Sequence, residues 1–190
     1  MKLLLTATTM IMFLTGCFST GIINLQTGNS LAKQEWTGDK NSFTIPFEWL
    51  DGHIIIDVTI NNKQKLKLAL DSGASATVLF DTSRTDGLSI DVERQLDLQG
   101  INVNVVNNVN LTVGHILLSD LTVIHVPIAE SPLFQSYEAA YFDGAIGFDI
   151  LNHFITTINY ADKSVTFWRK NSMQLNKGEW QVLAMQIQSR

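Results

Sequence analysis

Three regimes of apolar spacing divide the chain. Leu3 to Leu14 is a mostly apolar stretch behind Met1-Lys2, long enough for a signal sequence and too short to span a bilayer comfortably. Residues 18 to 41 are rich in Ser, Thr, Gly, Asn and Gln and keep no sustained apolar period, so they read as a flexible tether. From Ser42 onward, β-branched and aromatic residues gather in short runs broken by turn residues. Strands are expected at Phe43 to Phe47, His53 to Ile60, Leu66 to Leu70, Ala76 to Phe80, Ile101 to Val106 and Val109 to Val113. Three more are expected at Leu121 to Pro127, Thr156 to Tyr160 and Val165 to Trp168. Asn61-Asn62-Lys63 supplies the turn of a hairpin leading into Leu66 to Leu70. One helix is expected over Gly147 to Phe154, where Ile150, Leu151 and Phe154 fall on one face. Glu179 to Ile187 reads as an added strand. The pattern describes an all-β domain with one short helix, either a closed β-barrel or a compact sandwich.

The N-terminal stretch ends in Leu14-Thr15-Gly16-Cys17, which resembles the lipobox of bacterial lipoproteins. That resemblance implies cleavage of residues 1–16 and diacylation of Cys17, which becomes the first residue. Cys17 is the sole cysteine, so no disulfide can form within one chain. Phe18, rather than an aspartate, follows it. By similarity to sorted lipoproteins this implies a lipid-anchored protein of the bacterial envelope, on the outer membrane facing the periplasm. Removing residues 1–16 takes away Lys2 and no acid, so the formal charge moves from −5 to −6. That balance argues against nucleic acid as a partner and leaves membrane attachment to the acyl chains. A tether of this length has a reach of roughly 25–30 Å, and the remaining ~150 residues suit one domain with a real core.

Candidate chemistry centres on Asp71-Ser72-Gly73-Ala74, directly after Leu66-Lys67-Leu68-Ala69-Leu70. The sequence places a carboxylate on a tight glycine turn at the end of an apolar strand. One such carboxylate is a weak catalyst. Two brought within a few ångströms share a proton, so one acts as base while the other acts as acid near the same pH. Asp143-Gly144-Ala145-Ile146-Gly147-Phe148-Asp149-Ile150-Leu151 forms a second block, an apolar-apolar-Gly segment opening a helix. The chain contains no second Asp-Ser/Thr-Gly segment.

Together the two blocks resemble the retroviral-type (retropepsin-like) aspartic proteases, and the resemblance spans roughly Phe43 to Trp168. It implies a single-lobe, retropepsin-like closed β-barrel over 42–170 that becomes active as a homodimer, with Asp71 of each chain as catalytic residue. Ser72, Gly73, Ala74 and Gly147 would support the active-site loop, Ser72 standing where the family usually has threonine. The family's flap would fall within Asp97 to Asn107, with Gly100 near its tip and in reach of a peptide substrate; Ile101 to Val105 reads equally well as an ordinary strand. Ser75 could bond the substrate backbone or cap a local turn. Residues 171–190 form a C-terminal extension and a candidate dimerisation strand, whose removal is expected to weaken association.

Other chemistry has less support. His53, His115, His125 and His153 lack metal-ligand spacing, so they read as structural, with no metal and no cofactor expected. Asp143 and Asp149 read as turn and helix-start residues, and Trp36, Trp49, Trp168 and Trp180 as core or rim aromatics. No Gly-x-Ser-x-Gly or phosphate-binding loop is present. Three functions follow: a membrane-anchored aspartic endopeptidase, a non-catalytic lipoprotein binding a peptide or envelope partner, or a structural envelope component with Asp71 as a turn residue.

Overall fold

The computed structural model describes residues 27–38, 40–88, 92–98, 101–128 and 142–173. The expected signal sequence, Cys17, Gly100, Trp180 and most of residues 171–190 lie outside the described residues. The protein is all-β with little helix. Its strands are β1 (Lys33–Trp36), β2 (Ser42–Pro46), β3 (Glu48–Leu50), β4 (His53–Ile60), β5 (Gln64–Leu70) and β6 (Val78–Phe80). They continue with β7 (Val92–Leu98), β8 (Ile101–Val113), β9 (Ile116–Val126), β10 (Gly144–Ile146), β11 (Phe154–Asn159) and β12 (Ser164–Arg169). A helix, α1 (Phe148–Leu151), separates β10 from β11.

Nine strands form one sheet in the order β1-β9-β6-β10-β5-β4-β8-β7, with β3 on β4 and a further β8–β9 pairing that returns the order to β9. A second sheet has the order β11-β12-β2. The main apolar cluster includes Phe43, Ile56, Leu68, Leu111, Leu121, Ile146, Ile150 and Phe167, and so draws on both sheets and on α1. Burying such aliphatic side chains supplies the main favourable term for folding. A second cluster, with Ala69, Ala76, Phe80, Val105, Ile124 and Phe142, lies under the segment that carries Asp71.

The β4–β5 hairpin forms around Asn61-Asn62-Lys63, with Asn61 and Asn62 in the left-handed region at φ 51° and 56°. Asparagine tolerates that conformation better than most residues, and apolar alternation fixes the register on either side. Three expectations need correction. The tether does not extend to residue 41: residues 27–30 form a helical turn and β1 pairs antiparallel with β9 from Lys33↔Ser119 to Trp36↔Ile116. Trp36 provides the apolar anchor, packing edge-on against Phe43 and Phe154. The helix ends at Leu151, because Phe154 opens β11 opposite Arg169 and packs its ring edge-on against Phe167. Finally, Ile101–Val113 is one strand, not two. Asn108 takes φ 57° at a register shift between Val106 and Val109, so an apparent turn is a bulge.

Candidate active site

Asp71 stands at the C-terminal end of β5, where the apolar strand emerges to solvent. Its carboxylate is held locally: Gly73 N–H donates to Asp71 Oδ1 at 2.8 Å, and Ala74 N–H donates to Asp71 O at 3.2 Å. A Cβ on Gly73 would lie 3.1 Å from Asp71 Oδ1, so the missing side chain leaves the carboxylate its place. Ser72 is exposed and Ser75 is half-buried just beyond the turn.

The second sequence block is the brace for this turn. β10 lies between β5 and β6, parallel to β5 with Ile146 opposite Leu70, and antiparallel to β6 with Ala145 opposite Val78. Asp71 N–H donates to Ile146 O at 3.0 Å, and Phe148 N–H donates to Ala74 O at 2.8 Å, so the turn is bonded at both ends. A Cβ on Gly147 would fall 2.5 Å from Ala76 C, 2.6 Å from Ala76 O and 2.9 Å from Ala74 O. Only glycine fits beneath the turn. Gly144, at φ 152°, meets the same limit, with a Cβ placed 2.0 Å from Val78 O.

Thr77 and Asp149 close the brace from below. Gly147 N–H donates to Thr77 Oγ1 at 3.1 Å, and Thr77 Oγ1 donates to Asp149 Oδ1 at 2.9 Å. Asp149 is in the first turn of α1 yet buried, so its carboxylate is committed to this network. Asp143, fully buried, serves as more than a turn residue. Arg84 Nε donates to both its oxygens at 2.8 and 2.9 Å, Thr82 Oγ1 donates at 2.6 Å and Lys67 N–H at 2.8 Å. Both carboxylates are buried, whereas Asp71 is exposed.

A cavity of about 240 Å³ opens beside Asp71, lined by His53, Ala69, Ala74, Val78, Phe80, Phe142 and Ala145. It is apolar with a single carboxylate at its edge, a surface suited to an apolar side chain. His53 and Phe142 are the residues that sequence reasoning missed. The register of the β4–β5 hairpin runs from Ile60↔Gln64 to Ile55↔Ala69, and its continuation sets His53 opposite Asp71. That register was the available signal for His53; Phe142 had none. His53 packs its ring against Phe142 with centroids 5.6 Å apart.

On the other side of the turn, Ser72 faces a separate groove of about 320 Å³ with Ile54, Leu70, Phe148, Leu151 and Ile158. Phe148 and Ile158 are each 41% exposed there, an unusual setting for two large apolar residues beside a polar turn. The segment containing the expected flap is a hairpin of β7 and β8, pairing Leu98 with Ile101 and Asp97 with Asn102; its connection at 99–100 lies outside the described residues. Among the described residues no three His, Cys, Asp or Glu side chains gather as a metal site, and no helix is long and apolar enough to cross a membrane.

No family model matches the chain, and no curated protein matches it. Among solved structures, it is similar to the crystal structure of a retropepsin-like aspartic protease from Rickettsia conorii, at 16% identity and a TM-score of 0.45. The match covers 72% of this chain and 93% of that one.

Proposed function

We propose that this chain is a membrane-anchored aspartic endopeptidase whose active site is completed by two copies, each contributing Asp71. The observation that carries the reading is the bracing of the Asp71 turn by Ile146-Gly147-Phe148, with one hydrogen bond at each end and no space for a Cβ between them. Such a turn holds a carboxylate in a fixed place at the lip of an apolar cleft. A simple surface turn needs no such frame.

Hydrolysis then follows from the pairing of two carboxyls. Two aspartates within a few ångströms hold one proton between them, because ionising both costs too much. The ionised member takes a proton from a water that attacks the peptide carbonyl. The protonated member gives its proton to the carbonyl oxygen, and the leaving nitrogen is protonated as the tetrahedral intermediate collapses. The cleft lined by Ala69, Ala74, Val78 and Ala145 takes an apolar side chain of the substrate. The groove at Ser72, Phe148 and Ile158 supports the homodimer, since a second copy lying there would cover the exposed apolar pair and bring the two turns together. Each subunit has the single-lobe, retropepsin-like closed barrel. Cys17 carries the acyl chains, anchoring the enzyme at the outer membrane and facing the periplasm; confinement to that surface raises the encounter rate of the two copies. Its partners are a second copy, the membrane and a peptide or protein substrate, with no cofactor and no nucleic acid.

The test uses the chain from Ser19 onward, as wild type and Asp71→Asn, incubated with a diverse peptide mixture between about pH 4 and 7, the range in which a shared carboxyl pair can be half-protonated. New termini are read by mass spectrometry. Cuts made by the wild type and absent from the variant are expected. A folded, dimeric wild type that makes no cuts overturns catalysis and favours a binding lipoprotein.

A further inference from the structure

Asn29 lies in the polar stretch ahead of the catalytic domain, yet it is 1% exposed. Its side chain makes three bonds. Nδ2 donates to Thr122 O and to Asp149 Oδ2, each at 2.7 Å, and Oδ1 accepts from Thr122 N–H at 2.8 Å. The orientation of the amide is fixed, because Thr122 N–H can only donate and the carboxylate can only accept. The backbone is held as well. His153 Nε2 lies 2.6 Å from Asn29 O, and a carbonyl only accepts, so this nitrogen carries the proton. The other ring nitrogen, Nδ1, lies 2.8 Å from Gln34 Nε2 in β1. The upstream segment is thus tied to the protein at Asn29, at Gln34 and along β1.

Asp149 receives one bond from this segment and one from Thr77, which in turn receives the N–H of Gly147. We propose that Asn29 is a positioning residue for the Asp71 turn, acting through Asp149 and Thr77 on the Gly147 brace. The segment at 27–36 is therefore part of the machinery of the site, and the polypeptide leading from Cys17 ends in the contact that sets it. The proposal rests on the protease reading for its functional meaning, but not for its physical test.

Charge logic provides that test. Asn29→Asp faces Asp149 with a second carboxyl where a donor stood, so the contact either becomes a repulsion or survives only by taking up a proton, at a cost that rises with pH. Exchanging both, Asn29→Asp with Asp149→Asn, restores one donor and one acceptor. The amide introduced at position 149 can still accept from Thr77 through its oxygen, and its nitrogen can donate to the carboxylate introduced at position 29, while Thr122 O loses its donor and meets a carboxylate oxygen in its place, so the rescue is partial. Amide hydrogen exchange of the full chain in detergent, at about pH 8, well above the usual carboxyl range so that a proton shared by two carboxyls is costly to hold, is followed on peptides covering 71–77 and 143–152. Peptides from 55–69 and 155–168 serve as controls.

Asn29→Asp is expected to speed exchange of the two site peptides by about tenfold or more, with the controls within about threefold of wild type. The double exchange variant is expected to slow the site peptides by about threefold or more relative to Asn29→Asp, without reaching wild type because of the contact left at Thr122 O. Asn29→Ala, which removes the bonds without adding charge, is expected to speed the same two peptides and decides the matter if Asn29→Asp does not fold. Unchanged site peptides in a folded variant, controls that rise equally, or no rescue by the double variant each overturn the proposal. Peptide cleavage is measured separately: kcat should fall in Asn29→Asp, with KM little changed, and recover in part in the double variant. A wild type without peptidase activity overturns the protease reading, while the exchange pattern still decides the role of Asn29.

Discussion

Substituting Gly147 by alanine isolates the brace from every other feature of the site. Gly147 has φ −86° and ψ −178°, an extended conformation open to any residue, so the substitution carries no backbone strain of its own. Its cost is space. The new Cβ would meet three backbone atoms of Ala74 and Ala76 between 2.5 and 2.9 Å, and backbone cannot move aside as the end of a flexible side chain can. Overpacking of this sort costs about 1–3 kcal/mol, and pushing β10 away from the turn also weakens the Phe148 N–H to Ala74 O bond, adding about 1 kcal/mol. The expected loss is therefore about 2–4 kcal/mol in urea unfolding, together with loss of peptide cleavage, because the Asp71 turn rests on the displaced atoms. Gly87→Ala is the control. A Cβ there would lie 3.6 Å from Gln64 Oε1, an ordinary contact, so the variant should match wild type or gain up to about 1 kcal/mol from a stiffer unfolded chain. A Gly147→Ala protein within about 0.5 kcal/mol of wild type, with cleavage intact, would refute the close-packed brace.

Two further outcomes follow from the polar groups around the site. Asp143→Asn puts an amide against the Arg84 guanidinium and two further donors in a fully buried position. Because the Arg84 side chain retains 38% exposure, the loss should be about 2–4 kcal/mol, less than for a wholly buried pair; a change under about 1 kcal/mol in urea unfolding would show that the pair is structurally idle. His125 is held below its usual value of 6.5 by burial, with Asp81 opposing part of that effect. Its unfolded form therefore takes up a proton at higher pH than its folded form, so its contribution destabilises the protein as pH falls through about 6.5 and is absent well above it. His125→Gln should show a shallower loss of stability than wild type over that acid range; identical slopes would sink the assignment.

What could be read from the chain was what local periodicity governs. The β4–β5 hairpin, its Asn61-Asn62 turn and the placement of Asp71 at the strand end follow from alternation and turn chemistry within twenty residues. Gly147 was recognisable as a special position, but the reason, a backbone close approach from Ala74 and Ala76, needs two segments some seventy residues apart. β7 stayed hidden because Val92-Glu93-Arg94-Gln95 is polar enough to resemble a loop, and becomes a strand only through pairing with β8. Asn107-Asn108 misled in the opposite sense: a left-handed asparagine marks a bulge as readily as a turn, and the choice depends on β9 being there to pair with both sides.

Polar partnerships were harder to read than apolar ones for a combinatorial reason. A buried leucine is satisfied by any apolar neighbour, so pattern alone specifies its face. A buried carboxylate needs particular donors, and the chain offers 13 Lys and Arg side chains and many amides and hydroxyls from which Asp143 could take Arg84 and Asp149 could take Asn29. Nothing within a few residues of Asp143 or Asp149 distinguishes those partners. Yet both carboxylates flank the same five-residue brace, and both are bonded to segments distant in sequence, Thr82 to Arg84 on one side and Asn29 on the other. Each therefore converts a non-local contact into a constraint on the place of Gly147, and hence of Asp71. Substitutions at Arg84 and at Asn29 should act on the site without touching it, and because both bear on the one Gly147 brace the double variant should depart from additivity by about 0.5–3 kcal/mol in urea unfolding.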